Sequence, residues 1–268
     1  MDTRAEDRHR PSPTVLAPTP FAPGDRFLIV CPHPDDEVLG CGGFMLAHPG
    51  QCDVLCLSSS GFAEGGRSPE EDADVRIAEF HAVMGRALAG GQGRADGRRA
   101  IWRIFGKPPM YRQLRAHIPE YLEALRDIRK YACVFLPHPR DGHREHRYIT
   151  NRLFKRLLLR LGVVFGGPRI AFYEVWMPMG GAWTPNALHL MDETALARKL
   201  DLLQGYASQL VGNPVPYAEK IAALNRYRGI HCFSAHAAEA FHLTTIPRYL
   251  ATGWLCHNNP YREKFFEV

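Results

Sequence analysis

Among its seven cysteines the chain has no CxxC pair, and it has no apolar run of about 20 residues and no block of like charge. Each absence closes a class. The odd cysteine count, with Cys56 and Cys133 set in apolar runs, argues against a disulfide frame and against cysteine-held metal, and for buried free thiols in a reducing compartment. Without a long apolar run there is no candidate membrane span, and the polar, Pro-rich opening lacks the apolar stretch of a secretory leader. A cytoplasmic protein is the resulting expectation. The net charge of +5 is spread along the sequence, with no zinc-finger spacing and no basic helix, so nucleic acid is not an expected partner. Glycine is plentiful after the first strand, as Gly40-Cys41-Gly42-Gly43, but GxGxxG and a following Lys-Ser/Thr are missing. That favours close packing of a helix over nucleotide binding.

What is present is ordinary for a globular α/β protein: 46% hydrophobic and 23% charged residues in 268. Residues 1–24 carry repeated Pro with Ser, Thr and Asp and read as a disordered arm, and 25–268 as a single domain. Short apolar runs predict strands at 26–31, 53–57, 132–136 and 169–176. Helical periodicity predicts helices at 37–47, 70–88, 118–128, 147–161, 193–210 and 217–228. Alternation of this kind predicts a three-layer, Rossmann-like α/β fold with a mostly parallel central sheet.

Chemistry concentrates in two loops, each directly after a predicted strand. The first is Pro32-His33-Pro34-Asp35-Asp36-Glu37, with one imidazole and three carboxylates in five positions. Acids so placed can simply cap the next helix in a solvated loop, but their mutual repulsion is costly unless a cation or solvent relieves it. The second is Pro137-His138-Pro139-Arg140-Asp141-Gly142-His143-Arg144-Glu145-His146. In an open parallel sheet both loops meet at the carboxyl ends of the strands, where ligands bind. Together they offer a two-His, one-carboxylate set suited to catalytic Zn2+, with Fe2+, Mn2+ or Co2+ as other occupants.

These residues resemble the LmbE-like, or PIG-L-type, N-acetylglucosaminyl deacetylases, marked by HPDDE after the first strand and a later H-x-(D/N)-H. Tyr173-Glu174-Val175-Trp176, Lys199 with Ser208-Gln209, and Asn225 to Gly229 extend the likeness. The resemblance implies His33, Asp36 and His146 as metal ligands, Asp35 as general base, and a protonated His143 at the oxyanion or the leaving amine. The acid between the two histidines is Glu145 here, where the pattern has Asp or Asn, so the orienting role falls to Glu145 or Asp141. The implied reaction is removal of the acetyl group from an N-acetylated amino sugar, free or linked to lipid, nucleotide or another small group. A different small amide, or a non-catalytic metal- or glycan-binding module, are the alternatives.

Weaker signals remain. Arg76, three residues before Glu79, is either an ordinary helix-surface partner or a substrate contact. Glu64, in a Gly-rich stretch, contacts a sugar hydroxyl or faces water. Trp102, Trp176 and Trp183 offer stacking surfaces but are more typical of a core.

Overall fold

The computed structural model describes residues 14–16, 21–22, 24–59, 67–88, 100–105, 113–175, 185–210, 216–230 and 235–251. Strands are β1 (Thr14–Leu16), β2 (Phe27–Cys31), β3 (Cys52–Cys56), β4 (Trp102–Ile104), β5 (Cys133–Pro137), β6 (Arg169–Tyr173), β7 (Ala187–Met191) and β8 (Ala237–Thr244). They form one sheet in the order β1-β7-β8-β6-β5-β2-β3-β4. Among the described residues only β8 runs against its neighbours, β6 and β7; the other described pairs are parallel. The expected α/β class and mostly parallel sheet are both present. Strand order reverses at β2, with β3 on one side and β5 on the other, so the C-terminal ends of β2 and β5 flank a topological switch point.

Side chains of β2 alternate between two layers. Phe27, Ile29 and Cys31 enter a core shared with α1 (Asp36–Ala47), α2 (Pro69–Leu88) and α6 (Glu193–Leu203). Leu28 and Val30 enter the opposite core with α3 (Ile118–Ala124), α5 (Lys155–Arg160) and α9 (Ile246–Ala251). The remaining α-helices among the described residues are α4 (Arg144–Tyr148), α7 (Ala207–Leu210) and α8 (Tyr217–Gly229). Helix α4 passes through a wider π-turn at 149–154 into α5, so this helical segment starts three residues before the predicted 147. The predicted helix at 193–210 is two helices, parted around Gly205, where a Cβ would lie 2.5 Å from Val83. Within the Pro-rich arm, β1 pairs with β7, and Phe21 is buried against Phe27 and Phe44. Residues 1–13, 17–20 and 23 of that arm lie outside the described residues. Among the described residues no helix is long and apolar enough to cross a membrane.

The glycine run lets α1 sit close against the sheet. A Cβ on Gly40 would lie 2.2 Å from the ring of Tyr173, which is fully buried and donates its hydroxyl to the Val30 carbonyl at 2.9 Å. Neither partner has room to withdraw, which supports the packing reading of this segment. Gly40→Ala is expected to cost about 1–3 kcal/mol, as overpacked cores do. A lower denaturation midpoint at unchanged m-value checks it.

Candidate metal centre

Both acidic, His-bearing loops arrive at the switch point. Asp36 opens α1 directly after β2 and binds back on its own loop, accepting the His33 N–H at 2.9 Å. Its Oδ2 lies 3.3 Å from His33 Nδ1 and 3.2 Å from His146 Nε2, so one carboxylate oxygen sits between two imidazoles from distant parts of the chain. His143 completes a tight group: ligand atoms of His33, His143 and His146 all lie within 4.8 Å of one another.

The second loop is laced in place from the helix that follows. Arg147 donates to the carbonyls of Asp141 and Gly142 at 2.7 and 2.6 Å, Thr150 to Pro137 at 2.9 Å, and Asn151 to Pro139 at 2.6 Å. Asp141 accepts the His143 backbone N–H at 2.7 Å, and its carboxylate lies 3.1 Å from His146 Nδ1. A carboxylate behind the second ring nitrogen is how ligating histidines are commonly oriented. Glu145 contacts Nε2 of His33. Nδ1 of His143 is buried with no hydrogen-bond partner among the described residues. The Glu arm, longer than Asp, spans to the other loop instead.

Asp35 stands out in its backbone. At φ 113° and ψ −33° it is the one non-glycine residue with positive φ among those described. It occupies the N-cap of α1 yet makes no side-chain capping bond, although Asp is among the best capping residues. Such strain costs about 1–3 kcal/mol and persists where the surroundings enforce it, often at functional sites. Arg76 is buried behind this loop and donates to the Pro34 carbonyl at 3.3 Å.

Charge states follow from burial and neighbours. Burial works against ionisation of Asp36, but His146 and His33 outweigh it and hold its carboxyl well below the usual range. Burial, then the charge of Asp36, pushes Asp35 well up. Burial raises Glu37 to about 7. His146 rises to about 10 because Asp36 and Asp141 overcome its burial, and His33 also rises against burial through Asp36 and Glu145. Burial, with His146 and His33 beside it, lowers His143 to about 4. That direction favours a neutral His143, where the resemblance implied a protonated one.

This donor set suits a divalent cation: two imidazoles, an ionised carboxylate between them, and further acids backing the rings. Of the residues singled out from sequence, His33, Asp35, Asp36, Arg76, Asp141, His143, Glu145 and His146 gather at this point. Glu64, Trp176 and Trp183 lie outside the described residues, and Trp102 packs beside the core in β4. Sequence reasoning missed the hydroxyl of Tyr206, which donates to Glu37. It also missed the buried pairs Lys199–Glu239 at 2.8 Å and Arg228–Glu174 at 2.7 Å. Glu174, Lys199 and Arg228 lie in the segments that extend the likeness, but nothing in the sequence says which of them pair.

Residues 28–157 match the family described as GlcNAc-PI de-N-acetylase, PIG-L, so the resemblance seen in HPDDE holds over that span. No curated protein matches the sequence. Among solved structures, N,N'-diacetylchitobiose deacetylase from Pyrococcus horikoshii is similar at TM-score 0.58 and 21% identity, over 89% of this chain and 88% of that one. The A40926 pseudoaglycone deacetylase Dbv21 is similar at TM-score 0.57 and 18% identity, over 83% and 98%. GalB, the 4-carboxy-2-hydroxymuconate hydratase from Pseudomonas putida KT2440, is similar at TM-score 0.61 and 18% identity, over 82% and 96%. At these identities the likeness shows the fold, and one fold carries both deacetylases and a hydratase.

Proposed function

We propose that this chain, carrying a PIG-L match over residues 28–157, is a metal-dependent hydrolase that deacetylates an N-acetylated amino sugar. The observation that carries the reading is Asp36 held between His33 and His146, with Asp35 beside it in a strained backbone and its carboxylate left off the helix cap. His33, Asp36 and His146 would hold the metal, Zn2+ first and Fe2+, Mn2+ or Co2+ as substitutes. Asp36 is preferred to His143 as third ligand because its carboxyl is held well below the usual range and is already fixed by the His33 N–H, whereas His143 is half-buried. A divalent metal here supplies Lewis acidity and brings water toward ionisation at neutral pH.

The chain's own residues supply the rest. Asp35, its carboxyl pushed up by burial and by the charge of Asp36, accepts the proton of the attacking water. His143, neutral, presents an N–H to the carbonyl oxygen as charge gathers there. The proton taken by Asp35 passes to the amide nitrogen as the C–N bond breaks, giving acetate and a free amine. A module that only binds metal or glycan has no use for a strained Asp outside the ligand set. Arg76, donating to the carbonyl of the Pro34–Asp35 peptide, supports the loop that carries the base.

Purified protein incubated with a panel of N-acetylated amino sugars, free, nucleotide-linked and lipid-linked, is expected to release acetate. Chelator is expected to stop that release and Zn2+ to restore it. Release unaffected by chelator would remove the metal reading, and no release from any N-acetyl sugar would remove the substrate class.

A further inference from the structure

The peptide joining Pro34 to Asp35 is gripped at both ends. Its carbonyl accepts from Arg76 Nη2 at 3.3 Å, and its N–H donates to Glu37 Oε2 at 3.2 Å. On the far side of Asp35, its own carbonyl accepts from Val38 N at 3.0 Å and Leu39 N at 2.9 Å, inside the first turn of α1. With both flanking peptides fixed, rotation about the Asp35 N–Cα bond has nowhere to relax, and φ stays at 113°. The second oxygen of Glu37 receives the hydroxyl of Tyr206. Glu37 and Tyr206 are both fully buried, so this pairing is not diluted by solvent. Tyr206 lies between α6 and α7, and Ser208, just beyond it, donates through N and Oγ to Glu79 of α2 at 2.8 and 2.6 Å. The same α2 carries Arg76. Both braces on the Pro34–Asp35 peptide thus come from one packed framework.

We infer that Glu37, backed by Tyr206, is a positioning residue: it holds Asp35 in its strained conformation and so aims the carboxylate that acts as base. The inference rests on the proposed role of Asp35. Without the brace, Asp35 is free to adopt an ordinary N-cap geometry, and its carboxylate falls back on the helix amides it now leaves alone. The strain is then the cost of keeping the carboxylate available for chemistry.

Three variants test this on metal-loaded full-length protein. Glu37→Met fills the space but cannot bind the Asp35 N–H; it is expected to lower kcat about 100-fold, as small misplacements of a reacting group do, with KM and metal content unchanged. Glu37→Gln keeps an acceptor for Asp35 and a donor for the Tyr206 oxygen, and should restore most of the rate. Tyr206→Phe is expected to lower kcat about tenfold alone and not at all on top of Glu37→Met, because both act by one route. A crystal structure of Glu37→Met should show Asp35 at negative φ. Positive φ retained in that structure, or a Glu37→Gln enzyme as slow as Glu37→Met, overturns the inference. If the wild-type protein turns over no N-acetyl sugar, the deacetylase reading fails separately, and φ at Asp35 in the Glu37→Met structure still decides whether Glu37 holds it. Should Glu37→Met not fold, Tyr206→Phe provides the same rate and φ readings.

Discussion

Asp35→Asn is expected to lower kcat about a thousandfold, within the range general bases contribute, while the bound metal stays at its wild-type content. Asn matches Asp in shape and is, after Gly, among the residues most tolerant of positive φ, so the conformation at 113° survives the change. The hydrogen bonds from Val38 and Leu39 to the residue 35 carbonyl are backbone bonds and persist as well. What is removed is a proton acceptor and one negative charge beside Asp36. The loss of that charge favours ionised Asp36 if anything, because the two acids repel each other. Metal retention with collapsed turnover therefore separates base from ligand. Steady-state rates, with metal measured per chain, check it. A kcat within about threefold of wild type would remove Asp35 as the base, since a lost base costs far more.

The centre was legible because its residues are local in sequence twice over. His33, Asp35 and Asp36 share a four-residue span in the loop that follows β2, and Asp141, His143, Glu145 and His146 a six-residue span following β5. The rule that such loops meet at the carboxyl ends of parallel strands did the rest. The Gly40 to Gly43 run was legible for the same reason, since a helix that must sit close to its neighbours needs small residues. What sequence left hidden is non-local. Nothing in Ala237-Ala238-Glu239-Ala240 announces a strand, because alanine favours helix and the segment is extended only through pairing with β6 and β7. Ala187–Met191 is Leu-rich and reads equally as helix, yet it lies between β1 and β8. Glu145 shows the limit at the site itself. Its spacing suggested His143 as its partner, and the fold gave it His33 instead, 112 residues away in sequence.

Lys199→Met is expected to destabilise the fold by about 3–5 kcal/mol, the usual result of removing one member of a buried ion pair. Lys199 is fully buried, and its ammonium contacts Glu239 at 2.8 Å and the Leu39 carbonyl at 2.9 Å. Glu239 in turn accepts from the backbone N–H of Gly43 and Phe44 at 2.7 and 2.9 Å. The pair therefore grips α1 on both its carbonyl and its amide side, one to two turns beyond Asp36. With Met at 199, Glu239 is left as a buried carboxylate without its cation, while the Leu39 carbonyl loses its donor. Glu239→Gln in the same chain should recover much of the loss, because a neutral amide can still accept from α1 without the charge. A Lys199→Met penalty below about 1 kcal/mol, or no recovery in the double variant, would show that the pair is not what fixes α1. The same helix presents Asp36 to His33 and His146, so weaker metal binding should accompany the lost stability, and added metal should return part of it by binding only the folded chain.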